Sequence, residues 1–478
     1  MTMASFPRNG RQAIPEIEDY VKVVETGDLI VKIQDEVLKI EKVFFAGNSF
    51  FSIFSYPLLD GDINTVLMEP YTAAISETTA LKIFGTRDAV GKSVLISGGH
   101  PYKIKGVFKD MPSNTQLKPN FLASYASFVE QVKANSQGDE VQDPETWWTS
   151  DGCLTYFLLQ KGAHPKKVEA KFPPIVDQGI GEFMKRYNAS VTYSLQSLTD
   201  IHLYSNYIME PAPNGDGKTV YLLIGIAFFI LLIALINYVN LATARAVGRA
   251  KEVGVRKVVG SQRKQLVVQF FIESGIFNGL ALVLAMFIVV LTIPAFNQIS
   301  GRHMSYSLFG ESGFWLSLMI LFILGVFLSG LYPAIVLSSF KPVEVLRNSL
   351  VVFQFAASLF LLIGSLVVYQ QIQYMRNQSL GINIDQTLVI KPPIVSDSTF
   401  IRKKKAFKEA LLQYPTVKNV AVSSIVPGEG EGYNAGGIRL VGQDDSEQKQ
   451  YRFLWVDYDF VPLYDIKLIA GRSFSEDF

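Results

Sequence analysis

The sequence has few of the residues that build catalytic or metal sites. It contains a single cysteine, Cys153, so neither an internal disulfide nor a cysteine zinc cluster can form. Its four histidines are scattered along the chain without metal-ligand spacing. The long apolar segments described below contain no paired acids, no histidine cluster and no G-x-S-x-G motif. These absences argue against an enzyme and predict neither a bound metal nor a bound cofactor.

Charge is scarce and balanced. The 478 residues include 44 Lys and Arg against 43 Asp and Glu, and 18% are charged while 49% are hydrophobic. A near-neutral chain lacks the basic surface of a nucleic-acid-binding protein, and so high an apolar fraction does not fit a disordered one. Residues 1–14 contain no apolar run, so we predict no cleavable signal peptide.

The stretch GTRDAVGKSV resembles a phosphate-binding loop but departs from its spacing. Five residues separate Gly85 from Gly91, whereas the phosphate loop needs four. The preceding residues carry a helix signature that starts at Ser76 and stops at Gly85, and the residues that follow are strand-like. We therefore predict a helix-turn-strand corner here. If ATP drives this protein, a separate chain binds it.

Four segments lack any charged residue over about 26 to 29 positions, which is long enough for a helix to cross a bilayer. They are residues 219–244, 274–301, 312–340 and 348–375. The loop between the first two carries a single acid, Glu252, among seven basic residues: Arg245, Arg249, Lys251, Arg256, Lys257, Arg263 and Lys264. By the positive-inside rule this loop is cytoplasmic, so residues 1–215 and 376–478 lie outside.

The outer regions have the patterns of mixed α and β domains. Pro101–Phe108 alternates polar and apolar residues in the manner of a half-buried strand, and Tyr451–Val456 is also strand-like. Thr387–Ile390 predicts a further strand and Lys403–Tyr414 a helix.

An internal repeat relates the two outer regions. Phe50–Gly61 aligns without a gap on Phe460–Gly471, and Pro15–Asp19 matches Pro415–Asn419. The second copy follows a membrane span, and the first copy continues for much longer beyond the repeat. We therefore expect a fragment of a two-half protein, without the span that would precede the first copy.

Several motifs, in this order, resemble one known family. They are ISETTALKIFGTRDAVGKSVLI and LTDIHLYS in the first outer region, ARAVGRAKEVGVRKVVGSQRKQL with QFFIESG in and after the basic loop, and SSFKPVEVLR after the third span. Together they resemble the FtsX-like permeases of ABC transporters, specifically the MacB-type proteins with a large periplasmic core domain.

The resemblance implies a polytopic α-helical membrane protein with mixed α+β extracytoplasmic domains. An FtsX-like transmembrane module would be flanked by a complete and a truncated MacB-like periplasmic core domain. The expected boundaries are 1–215 for the first core domain, 216–347 for the module with three helices and a cytoplasmic coupling loop at 245–268, 348–375 for a fourth helix that opens the second half, and 376–478 for the truncated domain.

The resemblance further implies a non-catalytic permease subunit in the bacterial inner membrane. Its ATPase would be a separate partner subunit that binds the ATP, and the permease would work as a homodimer or a pseudo-dimer of two halves. Its role would be export, for example of antimicrobial peptides with a periplasmic adaptor, or mechanotransmission to an envelope protein. The alternative is a membrane sensor or receptor whose outer domain binds a ligand and which has no ATPase partner.

The basic loop is the expected contact with the ATPase. Glu252 and Arg256 are four residues apart on one helix face, and Gly254 and Gly260 are positions where that helix could break. The residues expected to dock on the ATPase are Arg249, Glu252, Val255, Arg256 and Lys257. A second interpretation is that these charges only set topology and bind anionic membrane lipid.

Polar and small residues in the spans predict helix packing. Polar side chains lie in the first, second and fourth spans: Asn237, Asn240, Asn278 and Gln354. Gly275 and Gly279 form a small-x-x-x-small pattern in the second span. Such residues let helices approach closely and form hydrogen bonds across the interface. A substrate path is the other interpretation.

Overall fold

The computed structural model describes most of the chain. The residues outside it are 1, 34–35, 97–99, 113–114, 136–142, 147, 149–151, 187–188, 208–209, 259–262, 302–303, 305, 337–343, 380, 394–398, 429–432, 445–446 and 476–478. The chain divides into one unit formed by Met1–Gly215 and Ser379–Phe478 and a second unit formed by Asp216–Gln378. We call Met1–Gly215 the first lobe, Ser379–Phe478 the second lobe and Asp216–Gln378 the membrane unit.

The first lobe is a mixed α and β fold. Its helices are α1 Phe6–Ala13, α2 Phe50–Phe54, α3 Glu77–Phe84, α4 Tyr125–Asn135, α5 Pro165–Glu169, α6 Phe172–Arg186 and α7 Ile201–Tyr204. Its strands are β1 Ile17–Ile33, β2 Glu36–Ala46, β3 Leu58–Gly61, β4 Thr72–Ser76, β5 Ser93–Ile96, β6 Pro101–Phe108, β7 Phe121–Ser124 and β8 Leu154–Leu159.

Eight strands form one sheet that closes on itself. The order is β2-β7-β4-β6-β5-β1-β8, and β1 also pairs with β2, so six strands complete a ring while β8 extends from β1 and β3 from β6. The pairs β2–β7 and β4–β6 are parallel. Side chains alternate between the two faces of a strand. Accordingly, Phe44 packs in one buried cluster with Leu122, and Phe45 packs in another with Phe121.

The predicted corner after Ser76 is present. The Ser76 side-chain oxygen accepts a hydrogen bond from the Thr79 backbone N–H at 3.2 Å, which caps α3. Gly85 ends the helix at φ 68°, a conformation that glycine adopts without strain. Strand β5 follows after the turn, so the GTRDAVGKSV stretch is a helix-turn-strand corner.

The second lobe contains fewer regular elements. They are α12 Phe400–Leu412, β9 Tyr433–Ile438, β10 Lys449–Phe453 and α13 Phe460–Leu463. Helix α12 covers most of the helix predicted at Lys403–Tyr414. The strand predicted at Thr387–Ile390 is wrong, because these residues form no strand with any described residue. Leu388 and Ile390 are exposed, and an apolar run without a neighbouring strand cannot form a ladder.

Backbone pairing in the two lobes follows the sequence repeat. Val23 pairs with Ala46 in antiparallel register, and the repeat places these residues on Ser423 and Val456, which form an isolated antiparallel bridge. The next hydrogen bond is also shared. The N–H of Gly47 donates to the Lys22 carbonyl at 3.0 Å. The corresponding N–H of Asp457 donates to the Val422 carbonyl at 2.9 Å.

Unusual backbone conformations also coincide. Ser55 and Asp465, which are equivalent in the repeat, have φ of 54° and 50°, the left-handed region that non-glycine residues seldom adopt. Gly61 and Gly471 have φ of 105° and 85°. The two segments therefore share their local chain path as well as their sequence.

Long helices form the membrane unit. They are α8 Gly217–Val258, α9 Arg263–Ser300, α10 Ser312–Val336 and α11 Glu344–Asn377. Each contains a stretch long and apolar enough to cross a membrane, at Gly217–Tyr238, Val267–Ser300, Ser312–Gly330 and Val351–Asn377. The expected break at Gly254 is wrong, because α8 continues through it to Val258. A glycine inside a helix lowers the stability of the helix by about 1 kcal/mol relative to alanine, and a helix of this length tolerates that loss. Gly260 lies outside the described residues.

The reactivity of the Cys153 thiol can be used to detect unfolding of the first lobe. It is the chain's only cysteine, and it is buried. Burial raises the pKa of its thiol, because the thiolate is disfavoured away from water. Since the thiolate is the reactive form, a thiol reagent should modify Cys153 only after the lobe opens.

We expect Gly61→Ala to lower the free energy of unfolding of the first lobe by about 3 kcal/mol. The alanine would have to adopt a left-handed backbone conformation, and its Cβ would overpack the site. A Cβ at Gly61 would lie 2.3 Å from the Lys105 carbonyl oxygen. The measurement is the rate of Cys153 alkylation across a urea series. Gly91→Ala is the matched control in the same lobe, since it also places an alanine at a positive φ of 87° but its Cβ meets no described atom within 4 Å. Equal effects of the two substitutions would contradict the structure.

Candidate functional site

The expected ATPase-contacting residues lie on the same helix as the first span. We call Arg249–Lys257 the coupling segment. Helix α8 has 42 residues, so it is about 63 Å long at the rise of an α-helix. Its apolar span ends at Tyr238, and the 20 residues from there to Val258 extend it by about 30 Å. The coupling segment is thus the far end of one continuous rod.

Helical spacing gives the coupling segment a defined face. Arg249, Glu252 and Arg256 are three, four and seven residues apart, which places these positions along one side of α8. The side chains of Arg249, Glu252, Arg256 and Lys257 lie outside the described part of the structure. The Val255 side chain is described and is 63% exposed. An exposed valine among charged positions is a suitable apolar contact for a protein partner.

A buried polar contact joins three helices of the membrane unit. The Asn278 side-chain amide on α9 donates to the Ser274 carbonyl at 2.8 Å and to Ser329 Oγ on α10 at 3.0 Å. The hydroxyls of Ser274 and Tyr238, the latter on α8, share a hydrogen bond of 3.2 Å. Ser274 and Ser329 are both buried. These four residues form what we call the polar clasp.

Two glycines on α10 permit this close approach. A Cβ at Gly325 would lie 2.8 Å from Asn278 Oδ1, and one at Gly330 would lie 2.9 Å from the Phe271 ring. Real Cβ atoms do not approach other atoms so closely, so both positions require glycine unless the neighbour moves. Sequence reasoning predicted a packing role for Asn278 but missed Gly325, Ser329 and Gly330. The small-x-x-x-small spacing of Gly325 and Ser329 is a signal that could have found this interface.

The other residues predicted for helix packing in the first two spans, Gly275, Gly279, Asn237 and Asn240, lie outside the polar clasp. A Cβ at Gly275 would meet no described atom within 4 Å, and one at Gly279 would make an ordinary contact of 3.9 Å with Phe322. Asn237 is exposed, and the Oδ1 atom of Asn240 is buried without a hydrogen-bond partner among the described residues. The structure brings none of them into the polar clasp. That these residues mediate helix packing stays a prediction. Their packing partner would be a helix of another chain.

The sequence matches models of two protein families. Residues 2–175 match the MacB-like periplasmic core domain, and residues 224–342 match the FtsX-like permease C-terminal region. The first match lies in the first lobe. The second covers most of α8, all of α9 and α10, and the coupling segment.

Individual relatives are distant. The chain is 23% identical over 319 residues to the uncharacterised ABC transporter permease YvrN of Bacillus subtilis (strain 168), which covers 64% of this chain and 70% of YvrN. It is 24% identical over 316 residues to the macrolide export ATP-binding/permease protein MacB of Pasteurella multocida (strain Pm70), covering 64% of this chain and 43% of that protein. The chain therefore spans less than half the length of this MacB.

A solved structure of the periplasmic region of MacB from Actinobacillus actinomycetemcomitans also matches. It covers 40% of this chain and 85% of that structure at 13% identity, with a TM-score of 0.28.

A periplasmic core domain followed by long apolar helices with a permease sequence defines a class, the membrane permeases with a periplasmic domain. Within that class, the chain is similar to the ABC transporter permeases of the MacB and FtsX type. It is an inner-membrane protein whose first lobe is periplasmic. If α8 crosses the membrane once after that lobe, its coupling segment lies on the cytoplasmic side, as the positive-inside rule predicts.

We expect the polar clasp to stabilise the membrane unit. Asn278→Ala removes one hydrogen bond within α9 and one to Ser329 on α10, and a hydrogen bond between membrane helices is worth about 0.6 kcal/mol on average. The variant should therefore unfold at a lower mole fraction of SDS in mixed micelles, followed by circular dichroism. Ser317→Ala is the control, because among the described residues Ser317 Oγ donates only to the Gly313 carbonyl of its own helix. An equal shift in both variants would argue against the clasp.

The orientation of α8 predicts which side of the membrane reaches Val255. In intact cells with a permeabilised outer membrane, a membrane-impermeant maleimide should leave Val255→Cys unmodified until the inner membrane is opened. Leu59→Cys, at an exposed position of the first lobe, should react at once. Buried Cys153 keeps the background low. Reaction of Val255→Cys from the periplasmic side would overturn the assigned topology.

Proposed function

We propose that this chain is the non-catalytic permease subunit of an ABC transporter. A separate ATPase would bind the coupling segment, and its ATP hydrolysis would drive export or mechanotransmission across the inner membrane. The observation that carries the proposal is the continuity of α8. One uninterrupted helix contains both the span that follows the periplasmic lobe and the cytoplasmic segment offered to the ATPase.

A continuous helix suits this task because its backbone hydrogen bonds resist bending and stretching. A force applied near Arg249–Lys257 therefore moves the whole span. The polar clasp links Tyr238, near the cytoplasmic end of that span, to α9 and α10. The three helices would then move together rather than slide past one another.

We further propose that the second lobe is a second copy of the core domain, of which this chain holds one part. The support is the shared antiparallel pairing, with Val23–Ala46 corresponding to Ser423–Val456, and the shared left-handed residues Ser55 and Asp465. Two such halves would form a pseudo-dimer within one protein. Membrane lipid surrounds the four spans, and a periplasmic adaptor or envelope protein would bind on the outer side.

A charge swap in the coupling segment tests ATPase binding. Glu252→Arg combined with Arg256→Glu keeps the net charge of the loop, so topology and attraction to anionic lipid are preserved. It reverses the charges that a partner would meet, and like charges across an interface cost several kcal/mol. We expect a more than about tenfold loss of the ATP-binding-cassette protein cross-linked to a photoreactive residue at position 255 in native membranes.

The matched control is Lys218→Glu, an exposed position at the other end of α8. It should leave the cross-linked ATPase unchanged. If the charge swap also leaves the yield unchanged, the segment does not dock by these residues. If no ATP-binding-cassette protein is cross-linked by the parent chain, the sensor or receptor interpretation replaces the proposal.

A further inference from the structure

The connection between α9 and α10 lies at the membrane surface. The apolar span of α9 ends at Ser300, and that of α10 begins at Ser312. With one crossing along α8 and one along α9, the chain returns here to the side of the periplasmic first lobe. We call Asn297–Trp315 the outer turn, and it contains a 3-10 helix at Tyr306–Gly310. The structure describes all of its residues except 302, 303 and 305.

Side chains of both helices fix the backbone of the outer turn. From α9, the Asn297 side-chain amide donates to the Met304 carbonyl at 3.1 Å, and its Oδ1 accepts from the Met304 backbone N–H at 2.9 Å. From α10, the Trp315 indole N–H donates to the Phe309 carbonyl at 2.8 Å. Each such hydrogen bond contributes about 1 kcal/mol to stability. The turn therefore presents its side chains from a braced backbone.

Aromatic rings form a row along the outer turn. Ring centroids are 6.4 Å apart for Tyr306 and Phe309, 5.3 Å for Phe309 and Phe314, and 5.5 Å for Phe314 and Trp315. The two ends of the row, Tyr306 and Trp315, are 51% and 53% exposed. Apolar surface that is contiguous and uncovered marks a contact with another molecule or with lipid.

The position and composition of the outer turn favour lipid as that contact. After Arg302, which lies outside the described residues, the sequence up to Gly330 contains one charged residue, Glu311. The turn is flanked by the ends of two spans, so the hydrocarbon boundary lies next to it. Tyrosine and tryptophan are enriched at this boundary because their rings combine an apolar body with one polar group.

Hydrogen bonding gives the two end rings different depths. The Trp315 N–H is already paired with the Phe309 carbonyl, so the indole can enter the apolar region without leaving a donor unsatisfied. The Tyr306 hydroxyl forms no hydrogen bond with any residue that the structure describes. It therefore needs water or a lipid headgroup as its partner, which keeps this end of the row at the polar surface.

We propose that the outer turn binds the phospholipid of the periplasmic leaflet. The Trp315 ring lies among the upper acyl carbons, and the Tyr306 hydroxyl lies at the headgroups. This contact holds the outer ends of α9 and α10 at one depth in the membrane while force enters α8 at the coupling segment. It goes beyond the proposed function, which assigns no partner to this turn and does not require one.

Fluorescence quenching in proteoliposomes of the purified full chain tests the lipid contact. The emission of Trp315 is the difference between the parent chain and Trp315→Phe, a variant that keeps an aromatic ring and whose circular dichroism should match the parent. Brominated phosphatidylcholine should quench this emission about twofold more with bromines near the carbonyl end of the acyl chain than near its methyl end, because tryptophan lies at the interface.

Two relocated tryptophans in the Trp315→Phe chain test the order of depths. Tyr306→Trp should be quenched about twofold more than Trp315 by a nitroxide on the lipid headgroup, since it reports the polar end of the row. Met319→Trp is the matched control, because Met319 is 52% exposed on the same helix as Trp315. It lies about 6 Å further along α10, so bromines near the methyl end should quench it more strongly.

The same samples give the results that would overturn the proposal. Aqueous iodide quenches Leu59→Trp, at an exposed position of the first lobe, and equal iodide quenching of Trp315 without quenching by brominated lipid would place the outer turn in water. Protection of Trp315 from both quenchers would mean that protein covers the turn. Equal headgroup quenching of positions 306 and 315 would contradict the depth order. These measurements need no ATPase, so each of these results would leave the coupling proposal standing.

Discussion

The structure depends on the need to satisfy backbone hydrogen bonds in lipid. Within the hydrocarbon core a helix must supply every N–H and C=O partner itself, which makes the span of α8 helical without exception. Past Tyr238 that requirement weakens, yet the helix runs on to Val258. Starting a helix is costly and extending one is not, so the span serves as the nucleus for the cytoplasmic extension. Because the span must be helical, the coupling segment that follows it is part of the same continuous helix.

Contacts between the membrane helices depend on close packing and polar groups rather than on the burial of apolar surface. Lipid tails are as apolar as leucine side chains, so burying leucine between helices gains little. Small residues and polar groups decide the arrangement instead. The α9–α10 contact accordingly relies on Asn278, Ser329 and the two glycines that admit their neighbours. A unit held by a few directional bonds is well suited to move as one body.

The two lobes show how much of a domain is encoded locally. Ser55 and Asp465 adopt the same left-handed conformation. Corresponding residues before them, Val23 with Ala46 and Ser423 with Val456, pair in antiparallel orientation. The burial of the strand residues nevertheless differs greatly between the lobes. An isolated pair of strands is at best marginally stable and needs a larger sheet to cover its faces. These local conformations therefore do not require the same degree of burial.

The amino-acid sequence by itself determined the helices in all four apolar segments and the corner from Ser76 to Gly85. These features follow from composition, charge and capping, which act over a few neighbouring residues. Only the tertiary structure decided that Gly325 and Gly330 rather than Gly275 lie against another helix, and that Thr387–Ile390 is not a strand. A helix that is apolar on every side carries no pattern to mark its contacting face, and a strand exists only where a second strand accepts its hydrogen bonds.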